Sequence, residues 1–158
     1  MKPIYPMLWF DTQAEEAAKH YVSIFPDAKI NGISRYGTPG PGPEGQVMTV
    51  DLELNGQRFV LLNGGPEFRF NESVSFVVEC ADQAELDGVW AKLIDGGQEA
   101  PCGWLKDRFG VSWQVVPTAL FEMMSDPDRE KAERVNAAML KVVGKFDIAS
   151  LRAAFEGR

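Results

Sequence analysis

At 158 residues, 45% of them hydrophobic, the chain has the length and composition of one globular domain with a sizeable core. Its formal net charge of -7 and its pI near 4.8 argue against nucleic acid or an anionic membrane surface as partner, because both call for concentrated positive charge. No apolar run approaches the length of a membrane span, and Met1 to Pro6 lacks the apolar core of a signal peptide, so the expected location is the cytoplasm.

Ile4 to Phe10 is an apolar run that reads as a buried strand. Asp11 or Thr12 can cap the helix that follows, with Glu15 and Glu16 in its first turn, where the helix dipole favours acid. Ala17, Tyr21, Ile24 and Phe25 share one helical face, and Pro26-Asp27 stops the helix. A strand follows from about Lys29 to Tyr36. Gly37 to Gly45, rich in glycine and proline, is a loop by composition, either over a pocket or a plain solvent connection.

Met48, Val50, Leu52 and Leu54 alternate with Val47, Thr49, Asp51 and Glu53. Asn55-Gly56 then gives a strong two-residue hairpin signal. That turn pairs Leu52 with Phe59, Val50 with Leu61 and Glu53 with Arg58. The opposite face carries Thr49, Asp51, Val60 and Leu62. Asn63 to Pro66 breaks the sheet. Ser73 to Cys80 is the next strand, with Val74, Phe76, Val78 and Cys80 on one side. Asp82 caps a second helix whose face is Leu86, Val89, Trp90, Leu93 and Ile94, closed by Gly96-Gly97.

Trp104 to Asp107 and Val111 to Val116 form a hairpin about Phe109-Gly110, ended by Pro117. Its mixed face sets Ser112 beside Gln114. Beyond it, Thr118 to Met124 is a short helix. Ser125 to Asp128 supplies capping residues, Glu130 to Val143 is helical, and Asp147 to Glu156 is a last helix. The two cysteines, Cys80 and Cys102, make neither a disulfide framework nor a Cys-x-x-Cys motif.

The halves repeat at a spacing of about 70 residues. A shift of 69 lays Ala17, Tyr21, Ile24 and Phe25 on Leu86, Trp90, Leu93 and Ile94. The element order repeats as well. Residues 1–117 therefore read as a duplicated domain, one module from about 1 to 66 and another from about 70 to 117. Residues 118–158 are a helical extension, either an appendage on a dimer or a separate partner site.

Trp9-Phe10-Asp11, Ala14 to Ala17 and Phe25-Pro26 resemble the start of PhnB-like proteins. Asn63-Gly64-Gly65-Pro66, Ser73 to Phe76, and above all Pro101 to Asp107 with Phe109 to Gln114 continue the resemblance to Pro117. That family belongs to the vicinal oxygen chelate superfamily, with glyoxalase I, extradiol dioxygenases and fosfomycin or bleomycin resistance proteins. Some members carry the label 3-demethylubiquinone-9 3-methyltransferase. The resemblance implies an α+β fold of two paired βαβββ modules forming a curved mixed sheet around a pocket, in a homodimer. It also implies metal-ligand positions at Tyr5, near Leu61 to Asn63, at Ser75 and at Gln114.

Of those positions only Gln114 is a credible donor, and a weak neutral one, whereas a catalytic site normally uses three protein ligands. The sole histidine, His20, falls on a helix. The expectation is therefore no bound metal and no other cofactor. No glycine-rich turn joins a strand to a helix, as S-adenosylmethionine enzymes of the doubly wound type would have. Asp51 and Glu79 are the best candidate catalytic carboxylates. Buried together, one would have a raised pKa; alternatively each is structural, paired with a cation such as Arg58 or Lys106. The candidate lining for a small organic molecule is Tyr5, Trp9, Thr49, Asp51, Leu62, Ser75, Glu79, Trp104 and Gln114. Trp9 and Trp104 can equally be core or dimer-interface residues. Three alternatives stand beside metal-free ligand binding: a metal-dependent enzyme of the superfamily, a methyltransferase, and a structural protein.

Overall fold

The structure, a computed structural model, describes residues 1–158. It divides into two compact units, Met1–Phe70 and Asn71–Arg158.

The first unit runs β1 (Met7–Phe10), α1 (Ala14–Ile24), β2 (Ala28–Arg35), β3 (Val47–Leu54) and β4 (Gln57–Asn63). Its strands lie in the order β1-β4-β3-β2, with β1 parallel to β4 and the other pairs antiparallel. The Asn-Gly turn sets the hairpin register read from the sequence: Leu52 opposite Phe59, Val50 opposite Leu61, Glu53 opposite Arg58. Asn55 and Gly56 both have positive φ, 45° and 82°, as that tight turn demands. Helix α1 packs on β2, β3 and β4, and its predicted face is buried at Ala17, Tyr21, Ile24 and Phe25.

Neither Asp11 nor Thr12 caps α1. The N-cap is Gln13, which makes no side-chain cap bond. The Ala14 N–H instead donates to Asn63 Oδ1 at 2.8 Å, and Asn63 Nδ2 donates to the Val47 carbonyl at 3.0 Å. One amide from the end of β4 therefore does the work of a local cap.

The second unit repeats the order: β5 (Phe76–Cys80), α2 (Gln83–Leu93), β6 (Gln98–Glu99), β7 (Trp104–Lys106) and β8 (Ser112–Pro117). Its sheet order is β5-β8-β7-β6, with β5 parallel to β8. Element by element this is the topology of the first unit. Helix α2 is capped by Asp82, whose Oδ1 accepts the Glu85 N–H at 2.9 Å. Leu86, Trp90 and Leu93 are buried beneath it. The turn between β7 and β8 is organised by buried Asp107. Its Oδ1 accepts the Phe109 and Val111 N–H groups, and its Oδ2 accepts the Trp113 indole N–H at 2.9 Å.

After β8 come α3 (Thr118–Met124), α4 (Arg129–Met139) and α5 (Ile148–Glu156). The sequence predicted helix from Glu130 to Val143. The helix ends at Met139, and the chain beyond it runs along the turn before β7. Pro101 and Val143 form an antiparallel bridge. The Cys102 N–H donates to Val142 O, Gly103 N–H to Gly144 O, and Gly144 N–H to Ala100 O, at 3.0 to 3.2 Å. Gly144, with φ of 75°, ends any helical continuation. Phe146 is 1% exposed and lies over Gly103, where a Cβ would come within 2.3 Å of its ring. Gln83 holds the start of α5, its Oε1 accepting the Ile148 N–H at 2.8 Å.

Candidate functional site

In each unit a helix covers one face of the sheet, and the pleat sends alternate side chains to the other face. That second face collects the residues singled out in the sequence.

In the first unit Trp9, Leu62 and Thr49 form one row across β1, β4 and β3. Trp9 is half-buried and fixed. Its Nε1 donates to Gly65 O at 2.9 Å, Phe68 stands edge-on to its ring at 5.1 Å, and Gly64 lies so close that a Cβ would come within 2.2 Å of the indole. Thr49 Oγ1 and Ser34 Oγ share a hydrogen bond of 2.6 Å. Two residues along, Asp51 accepts from Arg58 Nε at 2.9 Å and from Asn31 Nδ2 at 3.1 Å. Arg58 in turn lies 4.0 Å from the centre of the Tyr5 ring. The bond from Arg58, followed by that from Asn31, holds the Asp51 carboxyl below its ordinary range. These partners favour the ionised form and work against the raised pKa of a general acid. Tyr5 precedes β1, which begins two residues later than Tyr5.

In the second unit Val77, Gln114 and Trp104 form one row across β5, β8 and β7, the counterpart of Met7, Val60 and Asp51 in the first. Gln114 Nε2 donates to Ser75 Oγ at 2.9 Å, so two of the predicted residues meet directly. Trp104 is half-buried. Ser112 is on the same face at 2% exposure, its hydroxyl without a hydrogen-bond partner. Ser75 lies just outside β5, because the strand starts at Phe76 rather than Ser73. Glu79 is exposed and pairs with no cation; Lys106 is paired with Glu72. Asp51 and Glu79 belong to different units.

The loop from Gly37 to Gly45 does line a cavity, a cleft of about 200 Å3 at the C-terminal ends of β1 and β4. The Tyr36 ring packs against Gly40 and Gly42, and its hydroxyl donates to Asn63 O at 2.5 Å. Sequence reasoning missed Asn31 and Ser34, and it read Asn63 only as a sheet breaker and the end of an implied ligand range, not as a cap for α1. The first two lie on β2, whose register slips between Ile30 and Gly32 and again between Ser34 and Arg35, so simple alternation could not assign their face.

Two copies of one βαβββ unit, each with a sheet face turned away from its own helix, define the class of fold. Within it, the family model described as 3-demethylubiquinone-9 3-methyltransferase matches residues 2–116, and the chain belongs to that PhnB-like family. A PhnB protein from Bacillus cereus that carries the same methyltransferase label is 36% identical. The likeness covers 74% of this chain and 100% of that one, with a TM-score of 0.68. Protein PA1353 from Pseudomonas aeruginosa (21% identity, 74% and 98% covered, TM-score 0.60) and a gene product from Arabidopsis thaliana (22%, 73% and 98%, 0.54) share the fold. No curated protein matches the chain. The three C-terminal helices begin beyond the end of the family match.

The register allows the metal-ligand positions implied by the sequence resemblance to be tested against these residues. Met7 lies opposite Val60, and Val77 opposite Gln114. With Met7 and Val77 equivalent at a shift of 70 (77 − 7), the counterpart of Gln114 is Val60, not a residue of Leu61 to Asn63, and the counterpart of Ser75 is Tyr5. Two hydroxyls, an aliphatic side chain and an amide do not fit a divalent cation. No three His, Cys, Asp or Glu side chains come together elsewhere to replace them. S-adenosylmethionine fares no better in the glycine-rich form of its site. The turns from β1 into α1 and from β5 into α2, Asp11 to Gln13 and Ala81-Asp82, contain no glycine.

Proposed function

We propose that this chain binds a small, partly apolar organic molecule on the sheet faces turned away from α1 and α2, without a metal held by the protein, as a cytoplasmic homodimer. The observation that carries the reading is the presence of one half-exposed tryptophan in each unit. Trp9 and Trp104 each occupy such a face, beside oriented polar groups: the Thr49–Ser34 hydroxyls in one unit, the Gln114–Ser75 pair in the other. Around them Met7 is 55% and Val77 52% exposed, apolar side chains on the sheet faces turned away from α1 and α2. Aromatic and aliphatic surface with a few fixed polar groups is the composition of small-molecule sites. Tyr5, Asp51, Leu62 and Glu79 complete the proposed lining.

The test is metal analysis of the purified protein together with thermal shifts against Mn, Ni, Zn and Fe ions. The reading predicts substoichiometric metal and unchanged melting with each ion. A stoichiometric ion that raises the melting temperature would replace it with the metal-dependent enzyme of the superfamily. Sedimentation equilibrium tests the dimer, which a monomer at all concentrations would exclude.

A further inference from the structure

Arg58 joins the ligand face of the first unit in an unusual state of preparation. Asp51 takes one edge of its guanidinium, through Nε and Nη2. Tyr5 covers one of its flat faces. Asn31 occupies the other Asp51 oxygen, so that carboxylate is fully engaged. The opposite guanidinium edge, between Nη1 and Nη2, takes no second carboxylate: beyond Asp51 the guanidinium's further side-chain partner is Tyr5, and the side chain is 46% exposed. An arginine held on one edge and one face has already lost most of its rotamer freedom, and its open fork matches an oxyanion bidentately.

The neighbouring residues say what should be attached to that oxyanion. Arg58, Val60 and Leu62 follow one another on one face of β4. Alongside them run Met7, opposite Val60, and Trp9, opposite Leu62. Val60 is buried at 7% exposure, so over the roughly 13 Å from the guanidinium to the fixed indole, at about 3.3 Å per residue over four residues, the accessible apolar surface is chiefly Met7, with half-buried Leu62. The charge favours a single negative charge over two, since Asp51 already sits beside the guanidinium and the whole chain carries a net charge of -7.

We propose that the open edge of Arg58 binds the carboxylate of an amphipathic carboxylic acid whose apolar body lies along Met7 toward Trp9. This rests on the ligand-binding reading above and narrows it to a substrate class. Arg58 is a binding residue in this assignment, and Asp51, Asn31 and Tyr5 position it.

Titration by 1H–15N spectroscopy tests it, following the Arg58 Nε–H and the Trp9 indole N–H. The probes are 4-phenylbutyrate, its neutral amide, and 3-phenylpropylphosphonate. The carboxylate should bind at least about ten-fold tighter than the amide, the worth of one charged hydrogen-bonded pair, and tighter than the phosphonate. In Arg58→Gln the carboxylate should fall to the level of the amide, while Asp51→Asn keeps or strengthens the preference. The double variant Asp51→Asn/Arg58→Gln, which leaves no unpaired charge, guards against misfolding and should behave as Arg58→Gln. Equal binding of carboxylate and amide, or a preference that survives Arg58→Gln, overturns the assignment and leaves the ligand face standing. Tighter binding of the phosphonate overturns the carboxylate class. If no probe moves the Trp9 signal, the ligand face itself falls and the assignment with it.

Discussion

The two units share a topology and differ in how they complete it. The first has strands of seven and eight residues at β2, β3 and β4, and closes its hairpin with Asn55-Gly56. The second has only two residues in β6 and three in β7. What its ladder lacks is supplied by residues 142–146, which hydrogen-bond to both sides of the turn before β7 and seat Phe146 on Gly103. The same contrast appears at the helix starts, where Asn63 reaches back from β4 to α1 but α2 is capped by its own Asp82. A duplicated fold can thus keep its strand order while one copy depends on local turn chemistry and the other on a distant segment.

Removing that segment breaks the comparison most sharply. A chain ended after Pro117 loses α3 to α5 and the buried Leu120, Val135, Phe146 and Leu151. We expect amide protection in β7 and β8 to collapse in hydrogen exchange while β3 and β4 stay protected; protected β7 and β8 would show the extension to be dispensable. Next come two glycine substitutions. Gly103→Ala puts a Cβ at positive φ and against Phe146, and should cost at least about 2 kcal/mol in denaturant unfolding. Gly56→Ala has the same sign of φ with open space around it, and should cost only about 1 kcal/mol. Equal losses would mean that Phe146 yields freely.

The caps give a smaller difference. Asn63→Ala frees two backbone groups, the Ala14 N–H and the Val47 carbonyl, and should cost about 2 kcal/mol; Asp82→Ala should cost about 1 kcal/mol. Acid is the gentlest probe. Asp51 is held below the ordinary carboxyl value of 3.8 chiefly by Arg58, and Asp87 chiefly by Lys145 of the extension. A depressed folded pKa contributes stability that is fully present above the unfolded value and is lost as pH falls through the folded one. Both contributions should therefore hold at neutral pH and disappear below about pH 3.8. Carboxyl resonances followed by NMR should titrate below 3.8 at both positions. A midpoint at or above that value would mean that the ion pair does not persist in solution.

Much of this was legible in the residues. Asn55-Gly56 set a register that alternation then carried through β3 and β4. The faces of α1 and α2 followed from helical periodicity, and their match at a shift of 69 exposed the duplication. Local patterns failed where a partner came from far along the chain. Nothing near Ala14 announces Asn63 as its cap. Val142 and Val143 fit a helical face, yet they end as an extended brace because Ala100 to Gly103 offers unpaired backbone. At the site, alternation found the faces of Thr49, Asp51, Leu62 and Gln114. It could not find the Asn31 and Ser34 contacts across a bulged strand, or the open edge of Arg58, which depends on where Asp51 and Tyr5 come to rest.

The four indole N–H signals carry the most direct test of the account. Trp9 and Trp104 are half-exposed on sheet faces turned away from α1 and α2, whereas Trp90 and Trp113 are buried at 7% and 3% exposure. Titrating the metal-free protein with amphipathic carboxylic acids should shift the Trp9 signal and leave Trp90 and Trp113 unmoved. Shifts that appear only after a divalent cation is added, or that never appear at Trp9, would contradict it.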